Sequence, residues 1–198
     1  ALVGAGAPFL AGEWKPLVAL SLLLAAWIVC SALLNIGQRV QSTRAGQSAL
    51  QAFVRQPRSF YGMHLAHIGI AVFIVGVAMV GGYQTEKDVR MDIGETVSVG
   101  GYVFRFNGVR QEQGPNYRAL VGDVDLIRDG RTLRKMFPEK RFYVASSMPM
   151  TEAAIDTGLL RDVYVSLGEP IDKSRPDAAW AVRVYHKPFV DWIWGGCV

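Results

Sequence analysis

Two kinds of hydrophobic patterning divide the chain. From Leu17 to Ile36 the run LVALSLLLAAWIVCSALLNI carries no charge. At ~1.5 Å of rise per residue, a helix of that length crosses the ~30 Å hydrocarbon core of a bilayer. Pro16 stands at the entrance, where its missing N–H removes no helical bond, and Gly37 is expected to end the run ahead of Gln38 and Arg39. A second apolar run, YGMHLAHIGIAVFIVGVAMVGG, lies within residues 60–82. Tyr61 and Tyr83 bracket it as interfacial aromatics do, and Ser59 is its expected N-cap. From Asp88 onward the pattern shortens and alternates. It predicts strands at 96–99, 102–109, 117–127, 132–137, 140–145, 162–167 and 179–186, with turns at Gly100–Gly101, Gly114–Pro115 and Asp129–Gly130. An Asp-Gly pair between two such runs is a strong hairpin signal. Residues 151–158 read as a helical turn or a loop.

These elements predict membrane α-helical spans plus an all-β extramembrane domain, a small antiparallel barrel or sandwich. The expected organisation is a preceding span's end and loop at 1–16, a transmembrane helix at 17–36 and a basic loop at 37–59. A second transmembrane helix at 60–82 and a β-rich domain at 83–187 follow. Residues 188–198 start like a re-entry into the membrane, with Trp192 and Trp194 as belt residues. They are too few to cross it, so a helix cut short is expected there.

Composition sharpens this division. The chain is 51% hydrophobic with a mean hydropathy of +0.19, an average over two unlike populations. The net charge of +4 does not mark a nucleic-acid surface, because residues 83–187 hold 16 Lys and Arg against 15 Asp and Glu. Arg39, Arg44, Arg55 and Arg58 instead cluster in 37–59, which has no acidic residue. Arginines in a short loop between apolar spans place that loop in the cytoplasm and 83–187 in the periplasm.

The candidate chemistry sits in the second span. His67 lies six residues inside it from Tyr61, and an ionisable side chain at that depth needs a partner or a function. Three readings stand: haem or metal ligation, an interhelical hydrogen bond, and a proton relay. Gly62, Gly69 and Gly76 recur every seven residues and form a small-residue ridge about 200° from His67, suited to close helix contact. His64 lies nearer the interface, where snorkelling suffices, and the HxxH pair has no carboxylate or thiol to complete a metal shell. Cys30 and Cys197 lie in separate apolar segments, with no CxxC spacing, and read as buried structural thiols. The β-rich region presents no paired acid and base, no serine within reach of a histidine and no phosphate-binding glycine loop. His186, at the return to the membrane, reads as a surface or interfacial residue.

The blocks YGMHLAHIGIAV, EKDVRM, GPNYRA, EKRFYV, MTEAAIDTGLLRDVYVSLGE and WAVRVYHKPFVDWIWGG run in order along the chain. Through them it resembles the C-terminal part of the CcmF family, multispan haem lyase proteins of cytochrome c biogenesis. The resemblance implies a haem b held between two transmembrane histidines. One of them follows the pattern GM-x-x-x-H-[IL]-G, here Gly62, Met63, His67, Ile68 and Gly69, so His67 is the implied cofactor-binding residue and iron ligand. His64 falls at a variable place in that pattern and inherits nothing. The family's tryptophan-rich WWD segment, its flanking periplasmic histidines and the partner transmembrane histidine have no counterpart in these residues. No catalytic residue is therefore expected, and this region is not expected to act alone. For the whole protein the resemblance implies covalent attachment of haem to apocytochrome c in a bacterial inner membrane. Apocytochrome c, a haem chaperone, other cytochrome c maturation subunits and membrane lipid are the implied partners, with 83–187 as the docking platform. A transporter subunit with His67 in a proton pathway, or a structural anchor for a β docking domain, are the rival readings.

Overall fold

The computed structural model describes residues 13–145, 148–172 and 179–198. The expected tail of an earlier span at the start of the chain, and Ser146 and Ser147, lie outside the described residues. The chain divides into two compact units, one formed by residues 1–83 with 188–198 and the other by Gln84–Lys187.

The first unit is helical: α1 (Pro16–Thr43), α2 (Ala49–Val54), α3 (Arg58–Tyr83) and α4 (Val190–Cys197). Both α1 and α3 are long and apolar enough to cross a membrane, and only 22% and 11% of their apolar stretches are buried within the structure. Leu17, Leu20, Trp27 and Leu65 are all exposed. Such continuous outward apolar surface suits lipid or further helices rather than water. Gly37 does not stop α1. One glycine costs a helix only about 1 kcal/mol, and the helix runs on through Arg39 to Thr43. Ser59 is not the cap of α3 either, because the helix already starts at Arg58, directly after Pro57. The basic stretch is ordered by α2, where Ser48 and Gln51 form a reciprocal capping box. Buried Gln56 ties it down, donating to Thr43 Oγ1 (2.9 Å) and to the Ala52 carbonyl (3.0 Å), while Arg39 donates to its Oε1 (3.3 Å).

Helices α1 and α3 pack on each other. Val18, Ala25 and Ala32, seven residues apart, form the buried side of α1, and such small side chains let backbones approach. At the far end Lys15 Nζ donates to the Gly82 carbonyl at 2.6 Å. The glycine ridge of α3 serves α4: a Cβ on Gly69 would lie 2.8 Å from the Gly196 carbonyl oxygen, and one on Gly76 would lie 2.7 Å from the Ile193 nitrogen. Gly62, the third of the series, faces open space. Cys30 and Cys197 are exposed rather than buried. The faces of α1 and α4 that carry them are not covered within the unit, so the expectation of buried thiols is corrected.

The second unit is a β-sandwich. Its strands are β1 (Thr85–Met91), β2 (Thr96–Val99), β3 (Tyr102–Gln113), β4 (Tyr117–Arg128), β5 (Arg131–Met136), β6 (Glu139–Tyr143), β7 (Met150–Glu152), β8 (Ala154–Asp156), β9 (Arg161–Pro170) and β10 (Trp180–Pro188). One sheet runs β1-β10-β9-β8. The other runs β2-β3-β4-β6-β7, with β5 also paired to β4. Between barrel and sandwich, the two separate sheets decide for the sandwich. All seven predicted strands are present, while residues 151–158 form β7 and β8 instead of a helical turn or loop. Strand β1 escapes the alternation test because its residues are mostly charged and exposed. It is an edge strand, antiparallel to β10 from Thr85↔His186 to Met91↔Trp180, so the domain's first and last strands lie side by side.

Period-two alternation builds the core. Tyr102, Phe104 and Phe106 point inward from β3, Val124 and Leu126 from β4, Val163, Val165 and Leu167 from β9, and Trp180, Val182 and Val184 from β10. Asp129 and Gly130 both adopt positive φ (52° and 74°), the primed-turn geometry that the Asp-Gly pair predicts. At Gly108 (φ 122°) the β3–β4 register shifts in a bulge.

A buried carboxylate stiffens the β3–β4 pair. Asp125 accepts from Arg105 Nη2 at 2.6 Å and from Arg105 Nε at 3.2 Å. These two bonds, both to Oδ2, hold the Asp125 carboxyl below the usual carboxylate range, against the opposing effect of burial. A depressed folded-state pKa stabilises above the unfolded value, about 3.9, and that stabilisation fades as pH falls through the lower folded value. The stability gap between wild type and Asp125→Asn should therefore be full at neutral pH and narrow on acidification below about pH 4. Denaturant titrations across that range measure it, and a gap independent of pH would refute the assignment.

Candidate functional site

His67 and His64 sit on consecutive turns of α3, against the opposite wall formed by α1. Both line a groove of about 300 Å³ whose other walls include Trp27, Ile28, Ser31, Asn35 and Met63. The two histidines differ in what covers them. His67 is exposed, and its Nδ1 lies 2.7 Å from the Met63 carbonyl. A carbonyl only accepts, so Nδ1 carries a proton, and in a neutral ring Nε2 is then the nitrogen with the lone pair. A backbone oxygen fixing one nitrogen while the other stays free is the arrangement by which proteins orient a metal-ligating imidazole. His64 is 6% exposed, stacks edge-on against Phe60 with ring centroids 4.5 Å apart, and its Nε2 has no hydrogen-bond partner among the described residues. Leaving a buried polar group unsatisfied costs about 1–3 kcal/mol.

The HxxH reading as a complete metal shell finds no support, since no cluster of three His, Cys, Asp or Glu side chains occurs among the described residues. The site suits a group that takes one ligand from this chain: a tautomer-locked imidazole, an apolar wall from Trp27 and Ile28, and room in an open groove. A haem iron taking one axial nitrogen from His67 fits those residues. Sequence reasoning placed His67 in depth but read His64 as an interfacial side chain, and the structure buries it instead. It also passed over Ser31 and Asn35. Their signal was present: with Arg39 they recur every four residues, one polar stripe along an otherwise apolar helix.

A second polar cluster lies in the sandwich. The buried Tyr102 hydroxyl accepts from Arg128 Nη1 (2.9 Å) and Arg161 Nε (2.7 Å), both guanidiniums lie over its ring at about 5 Å, and the His186 ring stacks on it at 6.0 Å. Burial pushes the His186 imidazole below its usual range, and the charges of Arg161 and Arg128 push the same way. It stands as a neutral, half-buried packing residue. Gly100, with φ 58°, leaves it room, because a Cβ there would collide with the imidazole. Asp156 pairs with Arg161 at 2.6 Å and with Arg134 at 3.1 Å, so the Arg161 guanidinium is held between a carboxylate and the Tyr102 hydroxyl.

Two helices long and apolar enough to cross a membrane and a two-sheet β-sandwich define a class of helix-plus-sandwich protein. Residues 82–188, more than half of the chain, match the family described as the CcmF C-terminal β-sandwich, and the chain belongs to the CcmF family. It is 42% identical over 197 residues to the cytochrome c-type biogenesis protein CcmF of Pseudomonas aeruginosa, covering 98% of this chain and 28% of that protein. With the Escherichia coli (strain K12) CcmF it shares 41% over 177 residues, 89% of this chain and 25% of that one. The fold of a solved cytochrome c haem lyase CcmF superposes with a TM-score of 0.77 at 18% identity, over 99% of this chain and 31% of that chain. The chain thus spans roughly a quarter to a third of the length of the proteins it matches.

Proposed function

We propose that this chain supplies one axial ligand of a haem b, and a docking domain, to a membrane haem lyase that attaches haem covalently to apocytochrome c. The observation that carries the reading is the His67 ring, which lines the groove and is held by the Met63 carbonyl 2.7 Å from its Nδ1. A bound haem there supplies one-electron exchange, the chemistry needed to keep an incoming haem reduced before its vinyl groups meet the thiols of the apocytochrome. His67 would hold the iron, the Met63 carbonyl fixes the imidazole's rotation with Nδ1 as donor, and Trp27 and Ile28 keep that side of the groove apolar. The basic stretch between α1 and α3 faces the cytoplasm and the β-sandwich the periplasm of a bacterial inner membrane. There the sandwich receives apocytochrome c, the haem chaperone or partner subunits. Its near balance of charge favours shape and hydrogen bonding over a purely electrostatic partner.

The test is an absorption spectrum of the full-length protein purified in detergent, reduced and oxidised, with and without His67→Ala. Wild type is expected to show b-type haem bands, and the variant to lose nearly all of them while still accumulating in the membrane. An unchanged spectrum in the variant would return His67 to interhelical packing.

A further inference from the structure

We propose that His64 is a positioning residue of the same site, donating its Nε2–H to a carboxylate of the haem that His67 holds. The inference rests on the haem reading above. His64 is nine-tenths buried, its ring is braced by Phe60, and its Nε2 has no partner among the described residues although it lines the groove that receives His67. The partner that this nitrogen lacks is therefore expected to come with a bound group.

The helix directions say which end of that group it meets. Helices α1 and α3 run antiparallel, with Lys15 bonded to the Gly82 carbonyl at one end and Gln56 to Thr43 at the other. His64 lies three residues, about 4.5 Å of rise, from His67 toward the end that carries Arg58. Ser31, Asn35 and Arg39 lead toward the same end along α1. A porphyrin held through its iron by His67 carries two charged carboxylates, which avoid the hydrocarbon interior and turn toward the polar end of the groove. Among the described residues that line the groove, the buried donor is His64, and Ser31 and Asn35 belong to the facing wall.

A hydrogen bond to a haem carboxylate offsets its negative charge, which otherwise favours the ferric state. In the full-length, detergent-purified protein, His64→Leu should keep the b-type spectrum. Its reduction equilibrium should fall about tenfold, a drop of about 59 mV for one electron. His64→Gln, which keeps an N–H donor, should recover most of that drop. Haem lost in His64→Leu but retained in His64→Gln supports the same conclusion. A potential unchanged in His64→Leu overturns it, as does a shift or a haem loss that His64→Gln fails to correct. The underlying ligation reading is separable, because it fails only if the spectrum is absent from wild type or survives His67→Ala.

Discussion

Phe104→Ala will lower the stability of the β-sandwich by about 3–5 kcal/mol, the ordinary cost of deleting a buried ring without collapse of the space around it. Phe104 is 0% exposed, on the inner face of β3. Its fellow core residues come from both sheets, so no single strand can shift to close the cavity. A domain of about a hundred residues has only ~5–15 kcal/mol to lose, which makes this loss large enough to populate the unfolded state. Leu133→Ala, on the exposed part of β5 at 53% exposure, should stay within about 0.5 kcal/mol of wild type. Hydrogen exchange followed peptide by peptide reads this domain separately from the helices. Protection in β3, β9 and β10 should drop together in Phe104→Ala and remain intact in Leu133→Ala. Equal protection in the two variants would mean that the sheets do not share one core.

The second large effect concerns the helices. A Cβ on Gly196 would stand 2.5 Å from both the Gly69 carbonyl oxygen and the Phe73 nitrogen. Backbone atoms cannot rotate away as a side chain can, so even alanine must push α4 off α3. Overpacking of this kind costs about 1–3 kcal/mol, and the glycine pair packs back to back, which removes the usual routes of relief. Gly195→Ala, on the same short helix with nothing within 4 Å, is the matched control. It adds the same methyl group and the same gain in helix propensity. Thermal unfolding in detergent should separate the two, with Gly196→Ala melting earlier and Gly195→Ala unchanged or slightly later. Identical melting curves would show that α4 does not seat on the glycine ridge.

The glycine ridge illustrates how far local pattern reached. The seven-residue spacing of Gly62, Gly69 and Gly76 predicted a close helix contact on the side away from His67, and α4 occupies Gly69 and Gly76. Which helix would come, and that Gly62 would be left out, depended on where Val190–Cys197 returns in space. The two long apolar helices, the turns at Gly100–Gly101 and Asp129–Gly130, and the seven alternating strands were likewise legible, because each depends on side-chain period or on φ preferences within a few residues. Helix ends were not. Neither the continuation of α1 through Gly37 nor the start of α3 at Arg58 carries a strong local stop or start signal, and the Gln56 hydrogen bonds to Thr43 and Arg39 join residues far apart in sequence.

By itself, then, the amino-acid sequence determined the division into long apolar helices and an alternating β region, and the inward-facing residues of the sandwich. Burial period and turn chemistry are local properties that any fold of this chain must satisfy. Tertiary structure alone decided that charged β1 pairs along β10 and that residues 150–156 form two short strands, since edge strands are held by a neighbour's backbone rather than by their own pattern. It also set the different surroundings of the two histidines. Three residues apart, they share a helical face, and the sequence separated them only by distance along the helix. Packing in three dimensions buries His64 beside Phe60 with a nitrogen that has no partner among the described residues, and leaves His67 exposed with its Nδ1 on the Met63 carbonyl.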